Sequence, residues 1–262
     1  MANLSGTYFS AVMQRNMRFT AILSNDGSVD PSVNPHYARP TKNVYLLHGY
    51  CGCDSDWGLY VPLCELAGKY NVNFFMPTGE NSFYLDQPAT GFKYAEYTGK
   101  EFIEYTRKTF NLSADRNDTL IGGYSMGGFG AIHTALAYPE NFGKVIALSS
   151  ALIVNGLVGM KPGTGNPVAN YDYYHQMFGD LDILKETVND PENLLTGLLE
   201  KGIKIPGMFL ACGTDDSLIT SNEVFCRFMD EKGVPYKFVM EPGHHDFDFW
   251  RKHLVTGLEW AL

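Results

Sequence analysis

One serine stands where chemistry can be built around it. Gly123-Tyr124-Ser125-Met126-Gly127-Gly128 follows a short apolar run, Thr119 to Gly122, and a helical pattern begins immediately after it. A serine on a sharp strand-to-helix turn exposes its hydroxyl at the amino end of a helix, where free N–H groups and the helix dipole favour developing negative charge. Such a turn strains the serine backbone and brings the residues two before and two after it into collision. Glycine at 123 and 127 removes that clash, and Gly128 lets the helix lie close to the sheet. Two glycines and a serine at this spacing arise by chance in roughly one chain in ten of this length, so the flanking strand and helix are what make Ser125 a candidate nucleophile.

A serine nucleophile needs a base to take its proton, and the base needs an acceptor that fixes its tautomer. On a strand–turn–helix scaffold of this kind the acid and then the histidine follow the serine along the chain. Cys212-Gly213-Thr214-Asp215-Asp216 follows the apolar run Met208 to Ala211, and Glu241-Pro242-Gly243-His244-His245-Asp246 follows Tyr236 to Met240. Loops beyond strand ends are where open α/β sheets place their sites. Of the seven histidines, His36, His48 and His133 are set aside by chain order or helix position, His175 precedes the acid, and His253 lies in the last helical stretch. Spacing separates neither His244 from His245 nor Asp215 from Asp216. Each also has an ordinary role, since Asp after Gly-Thr commonly caps a turn and a Gly-His-His loop can simply be exposed. His244, His245, Asp246 and Asp248 could be drawn as a metal cluster, but consecutive loop positions rarely converge on one ion. No distant ligand group is evident, so no metal is expected.

The developing oxyanion needs donors. The run Asn43 to Leu47 leads into His48-Gly49-Tyr50-Cys51-Gly52, the loop that in this arrangement supplies one backbone N–H, the other coming from the residue after the nucleophile. The N–H groups of Tyr50 and Met126 are therefore the expected pair. His48 reads as a structural histidine holding the loop. Cys51 and Cys53 read as small apolar residues beside a pocket rather than as thiol nucleophiles.

The elements that must position these groups are legible as alternating patterns. Strand-like runs cover Met17 to Leu23, Asn43 to Leu47, Val72 to Met76, Thr119 to Ile121, Val145 to Leu148, Met208 to Ala211 and Tyr236 to Met240. Helical spacing covers Tyr94 to Phe110, Met126 to Ala137, Pro191 to Lys201, Ser221 to Glu231 and Phe247 to Leu262. The alternation predicts an α/β fold, a mostly parallel sheet with helices on both faces, over one domain spanning 1–262. Met17 to Leu23 is joined to the next strand by a polar segment containing Asp26-Gly27, Pro31, Pro35 and Pro40 instead of a helix, which predicts an antiparallel strand at the amino end of the sheet. The irregular stretch 151–180 is the candidate cap over the site.

Composition narrows the partners. A formal net charge of -9 argues against nucleic acid and anionic membrane, which reward clustered Lys and Arg. The five cysteines lack the paired spacing of a zinc site and are read as reduced thiols. With no leader pattern and no run long enough to cross a bilayer, a cytoplasmic protein without a membrane partner is expected.

Taken together, these stretches resemble the esterase D family of α/β-hydrolases, which includes tributyrin and acetyl esterases, feruloyl and cinnamoyl esterases, and S-formylglutathione hydrolases. The resemblance lies in Tyr45 to Gly52 followed by Trp57, in Asn117 to Ala131, in Cys212 to Asp216 and in Gly243 to Trp250. It implies the α/β-hydrolase fold and a serine carboxylesterase that cleaves short-chain acyl or hydroxycinnamoyl esters through an acyl-enzyme, with a small-molecule ester as partner and no cofactor. The family's acid falls three residues after the Gly, which implies Asp216. Its histidine directly precedes an Asp-aromatic-Asp-aromatic-Trp run, which implies His245 and leaves His244 where relatives carry a small or acidic residue.

The short loop after His48-Gly49 is similar to the bacterial tributyrin and feruloyl esterase branch. S-formylglutathione hydrolases carry Ser-Gly-Leu-Thr-Cys in place of His48 to Gly52, so a thioesterase of that type is the alternative. A non-catalytic binding protein on the same scaffold is another, although such proteins commonly lose the reacting residues that stand here. Aromatic residues between Tyr171 and Phe178 offer a platform for a cinnamoyl ring, yet their density is also that of ordinary packing. Family members often form dimers or tetramers, which makes a homo-oligomer an implied partner state.

Overall fold

The computed structural model describes residues 1–24, 29–87 and 89–262. Eight strands form the main sheet: β1 (Ala2–Ser10), β2 (Arg15–Leu23), β3 (Lys42–Leu47), β4 (Val72–Pro77), β5 (Thr119–Tyr124), β6 (Lys144–Leu148), β7 (Gly207–Gly213) and β8 (Tyr236–Glu241). Their spatial order is β1-β2-β4-β3-β5-β6-β7-β8. β2 runs antiparallel to both its neighbours, and every pairing from β4 to β8 is parallel. Every residue of β4 and β5 is buried, the condition expected of strands covered on both faces.

Helices supply that cover. On one face α1 (Leu63–Tyr70) and α7 (Phe247–Ala261) pack Leu66, Tyr70, Trp250, Leu254 and Leu258 against Val44, Phe74 and Ile146. On the other, α2 (Phe102–Phe110), α3 (Met126–Ala137), α4 (Tyr171–Phe178), α5 (Pro191–Glu200) and α6 (Ile219–Glu231) bury Phe102, Phe129, Phe178, Leu195 and Phe225 with Tyr45, Phe75 and Ile121. Among the described residues no helix is long and apolar enough to cross a membrane.

The antiparallel amino-terminal strand is found, but β2 is not the edge. β1 lies outside it, nine residues of Ala, Asn, Ser, Gly and Thr among Leu, Tyr and Phe that carry little strand signal. Pairing with β2 over its whole length overrides the weak propensity. The turn between them is fixed from far along the chain, where the Glu101 carboxylate accepts the Ala11 N–H at 2.7 Å, the Val12 N–H at 3.1 Å and the Ser10 hydroxyl. The expected helix Tyr94 to Phe110 forms with a wide π-type turn at Tyr97–Glu101. Asp26-Gly27 lies outside the described residues, and the proline-bearing stretch that follows forms short turns, one in which Asp30 O accepts the Val33 and Asn34 N–H groups and one at Pro35–Ala38.

The stretch read as irregular contains α4. Asn170 caps it, its side chain accepting the Tyr173 N–H at 3.0 Å. One side of α4 (Tyr174, Met177 and Phe178) is buried in the core. α4 is therefore docked on the core, and its Tyr173 hydroxyl donates to Asn81 O at 2.7 Å in the loop that follows β4.

Candidate active site

Ser125 occupies the single position between β5 and α3, at φ 55° and ψ -120°. This is a conformation that side chains with a Cβ rarely adopt, so neighbouring contacts must enforce it. The Ser125 N–H donates to Leu148 O at 2.9 Å, and Ser125 O accepts the Ala151 N–H at 2.9 Å. A Cβ at Gly123 would lie 2.2 Å from Gly127 O, and one at Gly127 would lie 2.3 Å from Leu47 O. Both glycines are thus required by close approach of backbone to backbone.

Three of the sequence candidates meet in one hydrogen-bonded line. His245 Nε2 is 3.0 Å from Ser125 Oγ, and His245 Nδ1 is 2.8 Å from Asp216 Oδ2. Asp216 is 3% exposed, and its other oxygen accepts the Leu218 N–H at 2.9 Å. Burial pushes this carboxyl up, but hydrogen bonds from His245, the Leu218 N–H and the Ser149 hydroxyl outweigh it and hold the group below its ordinary value. A carboxylate kept ionised beside Nδ1 fixes the tautomer that leaves Nε2 free to accept the serine proton.

The neighbours Asp215 and His244 are not in this line. Asp215 is exposed, and its N–H donates to Gly243 O at 3.1 Å, stitching the acid loop to the histidine loop. His244 is exposed. Asp246 caps α7 through the Phe249 N–H at 3.0 Å, and Asp248 points to Arg251 at 3.8 Å. The four residues that could be drawn as a metal cluster therefore diverge, and among the described residues no group of His, Cys, Asp and Glu side chains could hold a metal ion.

Across Ser125, the loop after β3 lies against the start of α3. Met126 opens that helix, so its N–H has no acceptor within the helix. Among the described residues neither it nor the Tyr50 N–H donates a hydrogen bond. His48 is 1% exposed and lies behind this loop, with Nε2 accepting the Gly79 N–H at 2.9 Å, which leaves Nδ1–H to donate to Gly49 O at 2.8 Å. Burial lowers its pKa, so the neutral ring is favoured. Cys51 and Cys53 are free and exposed, unlike the buried Cys212, which burial and the nearby Asp216 charge push up to about 12.

Several supporting residues were given no role by the sequence: Trp250 and Tyr124 stand inside the quoted motifs without one, and Ser149 and Asp56 stand in none. Trp250 donates from Nε1 to Ser149 Oγ at 2.9 Å, stacks on Tyr124 at 4.3 Å and meets the His245 ring edge-on at 4.9 Å. Tyr124 in turn donates to Asp56 Oδ2 at 2.7 Å. Ser149, fully buried at φ 45°, stands just past β6, and only a fold that brings it beside Asp216 gives it meaning.

The strand order, the strained turn and the Ser–His–Asp line are those of a serine hydrolase with the α/β-hydrolase fold. Residues 10–261 match the family described as "Putative esterase". The chain is 38% identical over 260 residues to an acetyl esterase of Caldicellulosiruptor saccharolyticus, covering 99% of this chain and 98% of that one. Among solved structures, it is similar to the fluorophosphonate-binding serine hydrolase F of Staphylococcus aureus (TM-score 0.84, 28% identity, 99% of this chain and 98% of that chain). It is also similar to an S-formylglutathione hydrolase of Staphylococcus aureus (TM-score 0.83, 27% identity, the same coverage). The chain belongs to this esterase family and is a carboxylic ester hydrolase.

Proposed function

We propose that this protein hydrolyses short-chain acyl esters in two steps, with Ser125 as nucleophile, His245 as base and then acid, Asp216 as the group that orients His245, and the Tyr50 and Met126 N–H groups as oxyanion donors. The observation that carries the reading is the continuous line from Asp216 through His245 to Ser125, at a helix start flanked by two undonated N–H groups. His245 takes the Ser125 proton as Oγ attacks the ester carbonyl, and the tetrahedral oxygen is held by the two N–H groups. His245 then protonates the departing alcohol. Water, activated by the same ring, releases the acid.

The short acyl group is supported by the acetyl esterase relative and by the position of α4, whose Tyr173 ring packs against Tyr50 at 5.7 Å. Of the aromatic residues between Tyr171 and Phe178, Tyr174 and Phe178 are buried in the core, which leaves Tyr171 and Tyr173 as the part of that platform a cinnamoyl ring could reach. The likeness to an S-formylglutathione hydrolase supports a second reading, a thioester substrate at the same serine. Five free cysteines support a reducing, cytoplasmic setting, and we read the docked segment around α4 as the cap.

The test is the initial rate on p-nitrophenyl acetate, butyrate and octanoate, methyl ferulate and S-formylglutathione, with Ser125→Ala as control. Activity greatest on acetate or butyrate, and lost by at least ~10³-fold in the variant, is expected. Greater activity on S-formylglutathione would move the substrate to the thioester, and equal rates in the two proteins would refute Ser125 as nucleophile.

A further inference from the structure

Backbone strain is concentrated around the proposed oxyanion site. Among the described residues, the non-glycine positions with positive φ include Cys51 (62°), Glu80 (47°), Phe83 (51°), Tyr84 (55°), Ser125 (55°) and Ser149 (45°). Ser125 and Ser149 are accounted for by the elbow and the acid. Of the others, Cys51, Glu80, Phe83 and Tyr84 lie in two loops that touch each other, 48–52 after β3 and 79–84 after β4, while Gln14, Asn71 and Asn111 stand in turns elsewhere. Strain of this kind persists only where surrounding contacts enforce it.

Those contacts converge on Tyr50. Its N–H belongs to the peptide whose carbonyl, Gly49 O, accepts both His48 Nδ1–H at 2.8 Å and the Gly52 N–H at 3.1 Å. Because a trans peptide is planar, fixing that carbonyl on one side aims the Tyr50 N–H to the other. The next peptide is fixed as well, since the Cys51 N–H donates to Asn81 Oδ1 at 2.7 Å. Tyr50 is therefore pinned on both sides, by His48 before it and by Asn81 after it. The loop carrying Asn81 is itself clamped to His48, through the Gly79 N–H to Nε2 at 2.9 Å and the Tyr84 hydroxyl to His48 O at 3.0 Å. Asn81 also reaches α4, its backbone oxygen accepting the Tyr173 hydroxyl at 2.7 Å.

We infer that Asn81 is a positioning residue for the oxyanion donor: its side chain holds the Cys51 peptide so that the Tyr50 N–H stays aimed at the tetrahedral oxygen, and Tyr173 ties that grip to the helix covering the site. The inference rests on the reading of Ser125 as nucleophile and Tyr50 as donor. Without the Asn81 acceptor, the left-handed turn at Cys51 is closed only by the Gly52 N–H to Gly49 O bond, and the loop relaxes. An oxyanion donor displaced by a fraction of an ångström binds the ground state almost as before and the transition state worse. The loss then appears in kcat rather than in KM.

The experiment compares wild type, Asn81→Ala, Asn81→Asp, Tyr173→Phe and the double variant Asn81→Ala/Tyr173→Phe. Rates on p-nitrophenyl acetate and the affinity for a trifluoromethyl ketone analogue of the tetrahedral intermediate are measured. Asn81→Ala is expected to lower kcat by about tenfold to hundredfold with KM changed by less than about twofold, and to weaken the analogue by the same factor. Asn81→Asp keeps the acceptor and should recover most of the rate. Tyr173→Phe keeps the ring and should lose less, about threefold to tenfold, with little further loss when added to Asn81→Ala. If Asn81→Ala fails to fold, the Tyr173→Phe rate and analogue affinity decide the matter alone. Unchanged kcat in these variants, or a loss that the analogue does not share or that Asp fails to rescue, overturns the positioning role. Failure of the underlying reading is separate and shows as turnover that survives Ser125→Ala.

Discussion

The two sides of Ser125 are held by different kinds of bond. On the side of Asp216 and His245, backbone meets backbone: the Thr214 N–H donates to Glu241 O at 2.9 Å, the Asp215 N–H to Gly243 O at 3.1 Å and the Ser149 N–H to Ala211 O at 2.7 Å. These bonds prolong the ladders β6–β7 and β7–β8 beyond the strand ends. Any sequence that forms the three parallel strands brings the two loops together. On the side of Tyr50, side chains do the holding, through the His48 ring, the Asn81 amide, the Tyr84 hydroxyl and Trp57 Nε1, which donates to Leu47 O at 3.0 Å. A site half of whose geometry comes from the sheet and half from individual side chains should respond unequally to substitution.

The largest contrast belongs to the residues that react. Asp216→Asn leaves the backbone ladder and the Leu218 N–H bond in place but presents an amide N–H to His245, favouring the wrong tautomer. The expected loss in kcat is about 10⁴-fold with Tm changed by only a few degrees. A loss under tenfold would break the assignment of Asp216 to the acid role. A supporting residue on the same side should cost far less. Trp250→Phe removes the donor to the buried Ser149 Oγ and alters the ring facing His245. An unsatisfied buried acceptor and lost packing amount to about 2 kcal/mol, a fall in Tm of about 5 °C, with kcat about tenfold lower. Thermal unfolding that moves while kcat does not would make Trp250 a packing residue only.

The same contrast explains what could be read in advance. The parallel strands, the elbow and the acid and histidine loops were legible because they are local patterns with fixed consequences: apolar runs, glycines at 123 and 127, polar residues just past strand ends. β1 escaped because an edge strand of small polar residues owes its existence to β2 and to Glu101, more than ninety positions from its start. α4 was hidden in a stretch whose glycines and asparagines suggested a loop, although Asn170 is its cap. Asn81 and Tyr84 escaped entirely. A polar residue in a loop after β4 carries no mark of its use until the fold sets it against Cys51. The choice between Asp215 and Asp216, and between His244 and His245, likewise turned on the family resemblance, since burial and direction are properties of the folded chain.

The smallest effect separates the two sides by pH. His48 grips Gly79 only as a neutral ring, and burial lowers its pKa despite the opposing pull of Gly49 O, Asp56, Asp54 and Glu80. With the folded value below the unfolded value of about 6.5, the unfolded chain binds more protons as pH falls, so the contribution of His48 is fully present above that range and lost on acidification. Asp216 has the same sign in a lower window: its folded value lies below the ordinary carboxylate value, so its contribution is complete above that ordinary value and is lost only as pH falls through the lower one. Between pH ~6.5 and pH ~4 the Tyr50 side should therefore loosen while the Asp216 side holds. Urea unfolding across this range should show wild-type stability rising with pH, and a shallower slope in His48→Gln. His133, buried neutral with its pKa lowered to about 4, contributes to both proteins and drops out of the difference. At pH 5, hydrogen exchange corrected for its intrinsic rate should rise for residues 48–52 before residues 213–218. Equal slopes in the two proteins, with both loops opening together, would mean that the side-chain grip and the backbone ladder are one cooperative unit after all.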